Sequence, residues 1–191
     1  MTMPFASDAR YRTPYEAELH ALLAERFLLD GSQTVLGLGL GPEPAPGEGS
    51  AGTGPRPGAP ALSLAALVDH VYVVHPDPAV LAEGSRLAEE RGRSNVSWLE
   101  GDTSAVTRLC LPRIDLCVIG GVHPQMDLER LAADLDTLLA PRGAIVLMAS
   151  PDELEEPADR LAKSVFSRAE IITREQRPVA FAAIIATRPG R

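Results

Sequence analysis

The chain has 191 residues, 45% of them hydrophobic, and a formal net charge of -8. That apolar content can bury a full core, so one domain over residues 1–191 is expected and a disordered chain is excluded. The acidic balance repels phosphate backbones, and apolar runs such as "IDLCVIGGV" and "AIVLMAS" fall far short of the roughly 20 residues a spanning helix needs, so no nucleic-acid and no membrane partner is expected.

The first residues, "MTMPFASDARYRTPYEAELH", lack the apolar core of a secretory signal. With two cysteines only, Cys110 and Cys117, a reducing cytoplasm is the expected setting. Residues 1–30 form an N-terminal helical segment. Within it "PYEAELHALLAERFLL" (14–29) sets Leu19, Leu22, Leu23, Arg26 and Phe27 on one stripe that faces a core. "TVLGL" (34–38) is a short strand. Residues 42–60 hold six prolines and five glycines, too little apolar surface to order themselves, and are expected as a surface loop.

"HVYVV" (70–74) is a second strand, apolar on both faces as central parallel strands are. Asp77 then caps a helix over 78–91, with Pro78 in its first turn, Leu81 and Leu87 on its inner face and Gly92 as its stop. Val96 to Leu99 gives a third strand and "IDLCVIGG" (114–121) a fourth. Asp127 caps the next helix, which places Leu128, Leu131, Leu135 and Leu138 on one face and ends at Pro141 to Gly143. "AIVLMAS" (144–150) is the fifth strand. Strands alternating with helices through residue 150 specify a parallel α/β sheet, because parallel neighbours need crossovers. "DELEEPADRLAKSVF" is helical with a break expected at Pro157, and "AEIIT" and "VAFAAIIAT" follow too closely for a crossover, so they pair as an antiparallel hairpin.

The order of these segments resembles the class I methyltransferases that use S-adenosylmethionine (SAM), from about Tyr11 to the C-terminus. "VLGLGLG" (35–41) is similar to the family's first motif and "VVHPDPAVL" (73–81) to its second strand and following helix. "NVSWLEGDTSAV" is similar to its third-strand segment, "IDLCVIGGVH" to its fourth strand and "LLAPRGAIVLM" to its turn into the fifth. The resemblance implies an open, mostly parallel, seven-stranded Rossmann-like sheet ending in an antiparallel hairpin, with SAM as cofactor.

In such a sheet ligands lie at the carboxyl ends of the strands where their order reverses. The resemblance gives Gly37, Gly39, Gly41, His75, Asp77 and Asp102 as candidate cofactor-binding positions. Gly39 and Gly41 would bring backbone close to the ligand, and Asp102 would face the adenine amino group. Two family acids are replaced: the first-motif acid by Gly37, and the ribose-binding acid of the second strand by His75, whose neutral ring could accept one hydroxyl proton. Asp77 reads first as a helix cap and second as a ribose ligand. "GTGPRPG" (52–58) also looks like the family's glycine turn, displaced downstream, and the 33 residues between Gly41 and His75 make a long crossover.

His123, in "GGVHPQ", is the candidate general base for a hydroxyl or amine acceptor. No metal site is expected, because the cysteines lack metal-ligand spacing. A P-loop and a Gly-x-Gly-x-x-Gly dinucleotide fingerprint are both absent, as is an Asn-Pro-Pro-Tyr type of motif. A SAM-dependent methyltransferase with a small-molecule acceptor is the leading expectation. Its alternative is a methyltransferase-like domain without catalysis, acting as a binding or scaffolding subunit in a homo-oligomer or with a protein partner. A third expectation keeps the pocket but gives it another small-molecule reaction.

Overall fold

Runs that are apolar on both faces become the inner strands of a seven-stranded sheet with helices on either side. The computed structural model describes residues 14–27, 29–40, 59–120, 126–149, 155–164, 166, 168–176 and 179–187. The elements run α1 (Pro14–Phe27), β1 (Thr34–Leu38), α2 (Ala59–Leu64), β2 (His70–His75), α3 (Pro78–Glu90), β3 (Val96–Glu100), a 3-10 segment (Thr103–Arg108), β4 (Ile114–Ile119), α4 (Leu128–Leu138), β5 (Leu139–Ala149), α5 (Glu155–Lys163), β6 (Arg168–Gln176) and β7 (Val179–Thr187). The sheet order is β3-β2-β1-β4-β5-β7-β6. The first five strands are parallel, and β7 pairs antiparallel with both β5 and β6. The expected parallel sheet with a terminal antiparallel hairpin is the one observed. Among the described residues no helix is long and apolar enough to cross a membrane.

Alternation along each strand divides the core into two layers. Val35, Val71, Val73, Leu116, Val118 and Val146 face Leu19, Leu22 and Leu23 of α1 and Leu64 of α2. Leu36, Leu38, Cys117, Ile119, Ile145 and Leu147 face Leu131 and Leu135 of α4 and Leu161 of α5. Burial pushes the Cys117 thiol far above its ordinary range. Asn95 ties the first layer to β3, since its side-chain amide donates to the carbonyls of Ala65 (2.9 Å), Val68 (3.1 Å) and Asp69 (3.1 Å).

The caps read from sequence form as expected. The Asp77 carboxylate accepts from Ala79 N at 2.8 Å and that of Asp127 from Arg130 N at 3.0 Å, each satisfying a helix-end donor. Four details differ from expectation. Arg26 is exposed and reaches Glu170 at 2.7 Å, so it stands at the rim of the α1 stripe rather than in it. Helix α2 begins at Ala59, on residues expected to be loop, and Pro60 to Ala65 are all buried. Pro157 lies in the first turn of α5, where its missing N–H has no carbonyl to serve, and the helix is unbroken. Finally, α4 passes into β5 at Leu139 with no intervening turn, and the register shifts between the Ile114–Leu139 and Leu116–Ala144 pairs. Pro141 and Gly143 therefore sit in an irregular stretch of β5, which accommodates a residue that cannot donate to the ladder. Arg113 Nη1 donates to Thr137 O at 2.7 Å and satisfies a carbonyl at the end of α4.

Two contacts between elements have measurable consequences. A Cβ on Gly84 would lie within 3.0 Å of three atoms of the Trp98 ring, so this glycine is what lets α3 close on β3. Gly84→Ala is expected to lower stability by about 1 to 3 kcal/mol in urea denaturation, despite its helix-propensity gain of about 1 kcal/mol. An unchanged midpoint would mean that the ring swings aside. Arg160 bridges α5 to α4, its Nε donating to Glu129 Oε1 at 2.8 Å, and this holds the Glu129 carboxyl down at about 2 against an ordinary 4.5. A depressed carboxyl stabilises the fold above its unfolded value and loses that contribution as pH falls through its folded value. Glu129→Gln is therefore expected to lower stability at neutral pH and to flatten the acid limb of a stability curve between about pH 4.5 and 2, the two curves converging at the acid end.

Candidate functional site

The strand order reverses beside β1: the chain moves outward through β2 and β3, then returns to place β4 on the other side of β1. The carboxyl ends of these strands are bound together beyond their ladders. Gly39 N donates to Val74 O at 3.3 Å, Gly101 N to His75 O at 3.1 Å, and Gly120 N to Leu38 O at 2.8 Å. One rim thus carries Gly39, His75, Asp102 and Gly120.

Two glycines on this rim are required by geometry. Gly39 has φ +60, in the left-handed region, and is exposed, with nothing within 4 Å of where its Cβ would stand. Gly120 meets the same turn from β4, and a Cβ there would come within 3.0 Å of Gly39 O. Backbone packs on backbone at this point, and among the described residues nothing stands against the outer side of Gly39. Leu40 does not cover it. That side chain is 1% exposed and turns down into the layer beneath α1 and α2.

Gly37 lies in the first strand, as expected, and its surroundings explain why it carries no side chain. It is buried within β1, paired with Val73 and Val118, and a Cβ on it would lie within 3.0 Å of Leu40 Cδ1. The space that the family's first-motif acid would enter is filled here by Leu40. Sequence reading attended to the missing acid and missed the leucine three residues on, although the repeated Leu-Gly of "GLGLG" placed both in view.

His75 ends β2, and its Nδ1 accepts from Asp77 N at 3.0 Å. A ring accepting at Nδ1 carries its proton on Nε2, so His75 presents a donor where the family presents an acceptor. The Asp77 carboxylate is engaged as the cap of α3. Asp102 follows β3 and caps the 3-10 segment: its Oδ1 accepts from Ser104 N (2.8 Å), Ser104 Oγ (2.6 Å) and Ala105 N (3.1 Å). The Ser104 hydroxyl, with these backbone donors, holds its carboxyl below the ordinary range. Asp102 therefore stands ionised at the rim with its hydrogen bonds to the described residues gathered on Oδ1. Gly41 and His123 lie outside the described residues, as does "GTGPRPG". Among the described residues no cluster of three or more His, Cys, Asp or Glu could hold a metal ion.

These strand ends, in this order, have the fold of the class I SAM-dependent methyltransferases. An rRNA methylase from Streptococcus thermophilus is similar over 93% of this chain and 98% of its own, with a TM-score of 0.64 at 13% identity. A Streptococcus mutans protein in complex with SAH matches over 92% of this chain and 99% of its own (TM-score 0.61, 12% identity). The precorrin-6y C5,15-methyltransferase from Geobacter metallireducens matches over 90% and 89% (TM-score 0.65, 18% identity). No protein-family model and no curated protein sequence matches the chain.

Coupling between positions 37 and 40 can be measured by a double-mutant cycle. Gly37→Asp is expected to cost about 3 kcal/mol, as overpacking with a carboxylate in an apolar layer. Leu40→Ala alone is expected to cost about 2 to 5 kcal/mol. Together they should fall short of the sum by at least about 1 kcal/mol, whereas strict additivity would show that the two positions do not compete for space.

Proposed function

We propose that this chain is a single-domain SAM-dependent methyltransferase acting on a small molecule. The observation that carries the reading is the exposed, left-handed Gly39 at the strand-order reversal, pinned against Gly120 on one side and open on the other. A ligand there would meet backbone with no side chain of the described residues between, the arrangement open α/β sheets use for nucleotides. Support for SAM comes from the shared fold and from the neighbour that holds SAH.

SAM, when bound, supplies a sulfonium methyl already activated for transfer. What is left to the protein is to hold the acceptor in line and to exclude water. Gly39 and Gly41 would lie against the ligand, with Asp102 toward the adenine amine through the oxygen not used in its cap. His75 would stand beside the ribose as a donor, while Gly37 and Asp77 act one step back, seating Leu40 and capping α3. His123, which follows β4, would take a proton from a hydroxyl or amine acceptor. Neighbours of this fold act on rRNA as well as on a precorrin, so the fold leaves the acceptor class open. The net charge of -8 favours a small molecule over a phosphate backbone. Two free thiols, Cys110 exposed and Cys117 buried, suit a reducing cytoplasm.

The protonated Nε2 of His75 favours a second reading, a methyltransferase-like domain that binds a partner without catalysis, because the ribose hydroxyls lose their acceptor. Calorimetric titration with SAH separates the two. Micromolar binding is expected, and silence at millimolar SAH would overturn the enzyme in favour of the partner-binding domain. His75→Glu restores an acceptor and is expected to tighten SAH binding about tenfold, since a hydrogen bond to a charged group contributes about 1.5 to 3 kcal/mol.

A further inference from the structure

Strand β6 ends the sheet, and among the described residues it pairs with β7 alone. Nine residues long, it offers about 30 Å of edge. Edges of this length are usually blunted by charge, by bulges or by cover. The β6–β7 register runs without a shift from Arg168 to Gln176. Ile171, on this edge strand, is 42% exposed and is the large apolar side chain left exposed among the described residues.

We propose that β6 is the interface between two copies of this chain, paired antiparallel about a two-fold axis through Ile172. Two identical strands related by an axis normal to the sheet keep their faces, so each register places residue i opposite residue 344 − i, or a sum shifted by an even number. The 344 register pairs the entire strand, from Arg168 opposite Gln176 through Ile172 opposite itself. It also sets Glu170 of each copy at the register position opposite 174 of the other, an arginine in the sequence, so opposite charges face each other twice across the seam. The neighbouring registers lose this match. A sum of 342 puts Arg168 opposite Arg174, and a sum of 346 puts Arg174 opposite Ile172. Overlap and charge therefore select the same alignment. Charges that only protect an edge would repel a second copy in its full-overlap register, and these attract it.

The monomer already holds Glu170 in place. Arg26 Nη2 lies 2.7 Å from Glu170 Oε1, which keeps that carboxylate on the α1 side of the sheet beside the edge. The two sheets would join into one of fourteen strands, twice the seven observed.

Sedimentation equilibrium on the full chain tests this with single and mixed variants. The wild type is expected at twice the chain mass at micromolar concentration and above. Arg174→Glu and Glu170→Arg each place like charges opposite one another and are expected to weaken self-association by about tenfold or more, with circular dichroism confirming that each remains folded. An equimolar mixture of the two restores both Glu–Arg pairs and is expected to return to double mass. A monomeric wild type, single variants that dimerise as well as the wild type, or folded variants whose mixture stays monomeric would each overturn the proposal.

Discussion

The close approach of Gly39 and Gly120 is the constraint on which the rest of this rim depends. Neither backbone could come so near if position 120 carried a Cβ, because that atom would fall within 3.0 Å of Gly39 O. The contact fixes the exit of β1 against the end of β4, at the place where the strand order turns back. Around it the ends of β2 and β3 are drawn into the same rim by the Gly39–Val74 and Gly101–His75 backbone bonds. A parallel sheet and two apolar layers deliver four strand tips to one line, and at two of them the described residue is glycine, with no side chain to obstruct it.

Beneath the turn, Leu40 and Gly37 form a complementary pair. An acid at position 37 would need space that Leu40 occupies, and the position instead holds a glycine packed against that apolar side chain. Polarity has been exchanged for packing at this point, and Leu40 joins the layer made by Val35, Val73 and Val118. The replacement at His75 has no such compensation. Its ring is turned toward the β2–α3 connection by the Asp77 N–H, and it offers a ligand a proton rather than a lone pair.

Much of the fold was legible because the relevant signals are local. Strands β1 to β4 show as apolar runs bounded by turn residues, and Asp77 and Asp127 announce their helices by a side chain that can serve the orphan donors of the first turn. Helix α2 was hidden for the opposite reason. With Pro60 to Ala65 all buried it has no polar face, hence no periodicity, and it abuts a proline- and glycine-rich stretch. Pro141 to Gly143 read as a terminator because their chemistry suits a turn, and α4 does end before them, at Leu138; less legible was that β5 already begins at Leu139 and skips its β4 pairing over 140–143 before resuming at Ala144. At the site, the glycines and Asp102 were visible as residue types. The cap that Asp102 forms could have been read from the Ser two residues on. Which ring nitrogen of His75 remains for a ligand is set by an N–H two residues away in a turn, and residue type alone does not encode it.

The inward set of Leu40 bears on the energetics of association. The Gly39–Leu40 turn, with its apolar side chain rooted in the interior, has its contour set before any small molecule arrives and little conformational entropy left at these two residues to surrender. Affinity at this surface would then be governed by pre-organisation on the β1 side, and ordering penalties, where they arise, would fall on other parts of the chain.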